Sequence, residues 1–373
     1  MDEHLAFGIS SIQALGRNDL STSAAVAGDA PMSWISVWNA AGHQVVHDTK
    51  ALSLAAAARE NTTFLIEGSL AGKSDKPVRV WAGQSGDLSF QVYRMPDGAL
   101  QFLHRGLNAK TDPDLIGPND SFKIIYSACA NPRGSRIEIH NLVTHQNATI
   151  APYQGEVHCL EDFLPAKSSF FKCMTVVALA DHNLSAASIP AYGEGTLINT
   201  PAGAIAVEDL VPGMIVDGLV SGPSRIRWCG HLDMLGIGST APLLVRAPYF
   251  GLSHDIHVSP MTRMLMQGST VEYLTGKEAI FARAGDMVNR ISVIKDQTLP
   301  VRRMYQIMTD DHDCVTVGAC HMETALLGDI LGGQGDALAR PMISDLEPVF
   351  ETIDRATAQT LQAMQAETRR VAA

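Results

Sequence analysis

The residue types able to do chemistry in this chain are its histidines, its cysteines and its acids, and their spacing excludes several chemistries at once. His140, His145, His158 and His182, with Glu156, Glu161 and Asp162, supply the donor types of a metal site, yet no two of them have tight ligand spacing, so scattered surface positions are expected. Gly195, Gly203 and Gly213 lack the G-x-G-x-x-G spacing and any following Gly-Lys-Ser, so turns explain them and nucleotide binding is set aside. No metal and no other cofactor is expected. Six cysteines (Cys129, Cys159, Cys173, Cys229, Cys314, Cys320) contain no C-x-x-C pair and read as free, mostly buried thiols. Trp34, Trp38 and Trp81 have the faces for sugar stacking, although sandwich cores normally use such rings for packing. That leaves Asp311-His312 and His257 as acid–base candidates in strongly patterned sequence. The alternation in Asp255-Ile256-His257-Val258 favours an exposed strand position for His257.

The elements that must carry these groups are mostly short strands. Trp34–Trp38, Thr63–Gly68, Val78–Trp81, Leu88–Tyr93, Leu100–Leu103, Phe122–Tyr126 and Arg136–Ile139 alternate or run apolar, and turn residues such as Pro96-Asp97-Gly98 and Asn131-Pro132-Arg133-Gly134 separate them. Asp-Gly between two such runs signals a hairpin, because the positive φ required there matches the strand twist. A series of strands without intervening helices predicts an antiparallel β-sandwich over 33–184, preceded by a weakly patterned segment 1–32. The small, polar run 185–190 reads as a linker. A second β-rich unit over 191–342 has turns at Pro201-Ala202-Gly203, Pro212-Gly213, Asp217-Gly218 and Gly222-Pro223, and strands through Ser224–Trp228 and Leu243–Arg246. In the tail, 343–373, Leu346, Val349, Phe350, Ile353, Ala356, Leu361 and Met364 fall at largely helical spacing and predict one or two amphipathic helices.

The second unit carries the most specific pattern. Gly195-Thr196-Leu197-Ile198-x-Thr200-Pro201-x-Gly203 followed by Val207-Glu208-Asp209-Leu210-x-Pro212-Gly213 resembles the opening of the bacterial Hedgehog/intein (Hint) family. Four further pieces follow in the family's order: Ile226-Arg227-Trp228-Cys229-Gly230, Val258-Ser259-Pro260-x-x-Arg263-x-Leu265, Tyr305-x-x-x-Thr309-Asp310-Asp311-His312-x-x-Val315, and Gly318-Ala319-x-x-Met322-Glu323. The resemblance spans 189–342, and it implies a horseshoe-like all-β domain whose first residue attacks the carbonyl before it. The N-terminal part, more weakly, resembles the laminin-G/concanavalin-type sandwiches.

In that family a thiol or hydroxyl exchanges the amide for a thioester or ester, and a histidine helps the amide nitrogen leave. Counting back from Gly195 places the nucleophile position at Ala191, whose methyl group carries no heteroatom. The family's histidine position in the Ser-Pro turn is Thr262, the position after the late-strand Tyr is Gln306, and Met214 stands where Asp usually follows Pro212-Gly213. Only Asp311 and His312 keep the expected types, and with no nucleophile to serve, His312 reads as an imidazole holding a turn. Ser188, Thr196 and Cys229 are the candidate replacement nucleophiles. The expectation is a degenerate domain whose positions Ala191, Thr262, Gln306, Asp311 and His312 are vestigial, in a structural or binding protein. The alternatives are self-cleavage near Pro190-Ala191 through a substitute nucleophile, and a lectin-like module.

Composition bounds the partners. With 46% hydrophobic and 18% charged residues the chain has the make-up of a folded protein, and no run approaches the roughly 20 apolar residues of a membrane helix. A net charge of −11 with no basic stripe argues against nucleic acid, which leaves a carbohydrate or protein ligand of the sandwich as the expectation. The acidic start Met1-Asp2-Glu3-His4, followed by no apolar stretch, predicts no standard secretory signal, leaving the cytoplasm or a signal-independent export route.

Overall fold

Alternating strands such as Arg136–Asn141, with its strictly periodic inward Ile137 and Ile139, build the N-terminal half of this computed structural model. The structure describes residues 34–72, 74–129, 135–150, 158–167, 172–180, 190–326 and 350–371. The Asn131–Gly134 turn, the 181–189 part of the linker region, Ser188 and His182, Glu156 and the tail up to 349 lie outside these.

One seven-stranded antiparallel sheet runs Asn147–Ile150, Arg136–Asn141, Ser121–Cys129, Asn61–Ser69, Met174–Ala180, Ser36–Asn39, Gln44–His47. A four-stranded meander, Val78–Ala82, Gln91–Arg94, Leu100–His104 and Leu107–Lys110, covers its central part. Between them lies an aromatic core in which Phe90 stands 4.9 Å from Tyr126 and Phe64 stands 5.2 Å from Trp81, centroid to centroid. The expected hairpin at Asp97-Gly98 is present, with Gly98 at φ 83° and Arg94 opposite Leu100. The strand expected from Leu88 begins only at Gln91, because Gly86–Leu88 closes a tight 3-10 turn that Ser89 caps onto the Gly86 carbonyl.

The central strand Asn61–Ser69 is buried along nearly its whole length, on both faces. Phe64 and Ile66 enter the aromatic core, while Leu65 joins Trp34, Val37, Ile125, Val176 and Leu235 in a second core on the opposite side. A strand covered on both faces reads as a continuous apolar run, which is what Phe64-Leu65-Ile66 is. Leu235, Ile237 and Val301 come from the C-terminal half, so the two halves are docked against each other, and the described residues form one compact unit.

The C-terminal half is antiparallel β as well. A long antiparallel pair, Pro223–Leu235 with Val301–Thr309, is the spine of a seven-stranded sheet, completed by Ile215–Asp217, Tyr192–Gly193, Ile256–Val258, Leu243–Val245 and Val293–Lys295. Ala279–Arg283, Arg263–Gln267, Cys320–Glu323 and Cys314–Val317 form a four-stranded sheet beside it. The tail differs from a purely helical reading. Helix Arg355–Val371 contributes Ala358 and Leu361 to the core, but the residues just ahead of it are extended and pair with Phe281, which donates to the Glu351 carbonyl at 2.8 Å. Phe350 meets the Phe281 ring edge-on at 5.3 Å, so aromatic packing and backbone pairing override helical periodicity there.

Candidate functional site

Tyr192–Gly193, only two residues long, slots into the middle of the seven-stranded sheet between Ile256–Val258 and Val301–Thr309. The chain can enter there because residue 193 has no side chain: a Cβ on Gly193 would sit 2.6 Å from the His257 Cβ. The residue just before this strand, Ala191, is therefore fully enclosed.

Its peptide groups are held from two sides. The Ala191 N–H donates to Thr262 Oγ1 at 3.2 Å, and the same hydroxyl lies 3.2 Å from the Ala191 carbonyl oxygen. That carbonyl also accepts from the Ser259 N–H at 2.9 Å, and the Ser259 hydroxyl is 3.1 Å from Thr262 Oγ1. Thr262 reaches this position because Ser259–Thr262 closes a turn, its N–H donating to the Ser259 carbonyl at 3.1 Å. From the other side Gln306, midway along Val301–Thr309, donates its Nε2–H to the Pro190 carbonyl at 3.2 Å. Positions 191, 262 and 306 thus surround one peptide bond, that joining Pro190 to Ala191.

Asp311 and His312 go elsewhere. Asp311 is exposed, and its carbonyl accepts from the Thr309 hydroxyl at 2.6 Å. The His312 ring is nearly buried, with Nε2 3.5 Å from Glu323 Oε2 and a T-shaped contact with the Phe281 ring. Glu323 in turn accepts from Arg263 N–H at 2.7 Å and from Arg263 Nη1 at 2.5 Å, while its backbone carbonyl accepts from the Tyr192 hydroxyl. Burial pushes the Glu323 carboxyl above the usual range, against the pull of His312 and Arg263. This cluster underlies the residue after Ala191 and clamps the strands around it.

The groups weighed as substitute nucleophiles are committed to other contacts. Thr196 donates its hydroxyl to the Gly193 carbonyl at 2.6 Å, and the Cys229 thiol, pushed up in pKa by burial, donates to the Leu210 carbonyl at 3.2 Å. His257 is half-buried rather than freely exposed, with Nε2 2.7 Å from Asp296 Oδ2, a carboxylate that Arg302 Nη2 also reaches at 2.7 Å. Met214 is partly buried against the core. Four of the six cysteines are buried.

The sandwich residues weighed for metal or sugar chemistry are largely engaged in structure. His158 Nε2 lies 2.7 Å from the Thr62 hydroxyl, and Asp162 accepts from Arg105 Nε at 2.7 Å and from Cys159 N–H at 3.0 Å. Trp81 is core and donates to the Phe163 carbonyl at 3.2 Å; Trp38 packs in the same core. Trp34 donates to the Asp233 carbonyl at 2.9 Å and so bridges the halves.

Sequence reasoning located the three positions around the Pro190–Ala191 peptide but not the Arg263–Glu323 pair beside it. Both residues stood inside the motif pieces, yet nothing in a one-dimensional pattern couples positions 60 residues apart.

Comparison with known proteins agrees with this geometry for the C-terminal half. Residues 190–329 match the family model described as Hint domain. No curated protein matches the chain. Among solved structures, the chain is similar to the Ruminococcus gnavus IT-sialidase CBM40 bound to α2,3-sialyllactose, at 10% identity over 42% of this chain and 90% of that one, with a TM-score of 0.24. It is also similar to the botulinum neurotoxin serotype D binding domain, at 6% identity over 75% and 80% of the two chains, with a TM-score of 0.26. Pattern, strand placement and family match coincide on one stretch of this chain: residues 190–329 are a Hint domain.

Proposed function

We propose that this Hint domain is kept as a scaffold and does not cut its own chain, so that the protein acts as a structural or binding protein with residues 33–184 as its recognition unit. One observation carries the reading: at the position from which a nucleophile would attack the Pro190 carbonyl carbon there is a fully buried methyl group. An acyl shift needs a lone pair on the atom attached to that Cβ, and no carbon substituent supplies one. The surrounding geometry is otherwise that of a held peptide, with Gln306 on the carbonyl and Thr262 on the amide. Donors of this kind alone leave a residual acceleration of about 10³–10⁴ in catalytic systems stripped of their reacting groups, which is negligible against the lifetime of an amide. The substitute hydroxyl of Thr196 and thiol of Cys229 are tied to other carbonyls, which further supports the reading.

Intact mass after incubation with dithiothreitol or hydroxylamine tests it. A single 40.0 kDa species is expected; two fragments of roughly half that mass would overturn the reading. Ala191→Cys combined with Thr262→His should in turn produce thiol-dependent cleavage after Pro190, because the remaining donors are already in place. A chain that stays intact in that variant would remove the assignment of residue 191 as the nucleophile position. A second reading, in which ligand binding is the activity, is favoured by a cleft that the docked halves enclose.

A further inference from the structure

Between the face of the large sandwich sheet and the Hint domain lies a cleft of about 830 Å³, within the size range of small-ligand sites. Its sandwich wall is a cross-strand row: Glu67 stands opposite Lys123, and Lys123 opposite His140. The facing wall includes Leu235, Ser239, Thr240 and Met261.

Two polar groups lining this cleft are buried without a hydrogen-bond partner among the described residues. Lys123 is 7% exposed; Glu67 and Glu138 act on its charge, but among the described residues no hydrogen bond reaches its ammonium group. The nearby acids have other partners as well: both Glu67 oxygens accept from Ser239, at 2.7 Å from its N–H and 2.5 Å from its hydroxyl, and Glu138 Oε1 is ion-paired with Arg136, 2.8 Å from its Nε. The Thr240 hydroxyl is likewise buried and has no partner among the described residues. Thr240 follows Ser239, which binds the Glu67 that faces Lys123, so the two orphaned groups belong to one end of the cleft. Leaving an ammonium and a hydroxyl desolvated without a hydrogen-bond partner is costly, and a bound ligand relieves that cost. The same wall continues to Arg283, whose Nε is also buried without a hydrogen bond. The other acids of the lining have their own cations: Asp233 lies 3.0 Å from Arg303 Nε, and Asp286 feels the charges of Arg283 and Arg355.

We infer that this cleft binds an acidic saccharide, whose carboxylate sits on the Lys123 ammonium and whose ring hydroxyls meet Thr240, His140 and Gln297. The inference rests on the reading of the protein as a binding protein. A carboxylate supplies the hydrogen-bond acceptor that this cation lacks, and it does so in a chain of net charge −11 that otherwise repels anions. Sugar hydroxyls need partners that both donate and accept. A threonine hydroxyl, a glutamine amide and a neutral imidazole each do, and His140 stays neutral because burial, then Lys123, push its pKa down to about 4. An acidic peptide fits less well: the cleft is on the face of the sheet, not along its edge, so it offers no row of backbone groups for an extended chain.

The test is titration calorimetry on the full chain with trigalacturonate, with maltotriose as the neutral saccharide and triglutamate as the acidic peptide. Trigalacturonate alone should bind. Lys123→Met should weaken it by about ten- to a hundredfold, the worth of a hydrogen bond to a charged group, and Thr240→Val by about three- to tenfold. Thr240→Val removes no charge, so it remains informative if Lys123→Met fails to fold. Absence of trigalacturonate binding, equal binding of triglutamate or maltotriose, or binding indifferent to both substitutions would each overturn the inference. None of these outcomes touches the reading of the Hint domain as non-cleaving, which is judged by the mass of the chain alone.

Discussion

Glu323→Gln is the sharpest perturbation of the cluster beneath the vestigial site. The Glu323 and Arg263 side chains are 0% and 7% exposed, with Oε2 and Nη1 2.5 Å apart. Removing one charge of such a pair leaves the other buried and uncompensated, at a cost of about 3–5 kcal/mol. Glutamine preserves the shape and its carbonyl still accepts from the Arg263 N–H, so the loss reports the charge and not a cavity. At this chain size a change of that magnitude lowers Tm by about 2 °C per kcal/mol, or about 6–10 °C. Adding Arg263→Met removes the guanidinium that has lost this carboxylate. The double variant should therefore recover part of the loss, with a coupling of about 2 kcal/mol between the two sites. Urea unfolding of the parent, both single variants and the double, at constant m-value, measures this. A Glu323→Gln cost below about 1 kcal/mol, or strictly additive losses, would refute the claim that this pair holds the strands around residue 191.

Asp162 gives the clearest pH dependence. Burial raises its pKa, but hydrogen bonds from His104, Arg105 and the Cys159 N–H outweigh that and hold it well below the usual carboxylate range. A folded-state pKa below the unfolded value stabilises above about pH 4 and is lost as the pH falls toward the folded value. Asp162→Asn should cost about 2–3 kcal/mol at pH 7, with the gap to the parent closing on acidification; a gap constant between pH 7 and pH 3 would sink the assignment. Gly193→Ala forces a Cβ to within 2.6 Å of the His257 Cβ, so it should destabilise the chain by about 1–3 kcal/mol and suppress cleavage in the Ala191→Cys, Thr262→His background. Unchanged urea midpoint and cleavage would show that the strand at 192–193 does not need the close approach.

What could be read from the sequence was local. Alternation predicted Arg136–Asn141, turn chemistry predicted the Asp97-Gly98 hairpin, and motif order marked residues 191, 262 and 306, which the fold then gathers around one peptide. These succeed because periodicity, φ preference and motif spacing are properties of contiguous residues. Extended pairing at 350–353 was hidden under helical spacing, since Phe281, the partner that decides it, lies about 70 residues away. Tertiary structure alone decided that His312 answers to Glu323 instead of the Pro190–Ala191 peptide, that Arg263 pairs with Glu323, and that Lys123 ends in a cleft with no hydrogen-bond acceptor among the described residues. Each of these depends on which strands become neighbours and which faces are covered. Desolvation then sets the worth of every charge involved, and no residue type carries that information before the chain has folded.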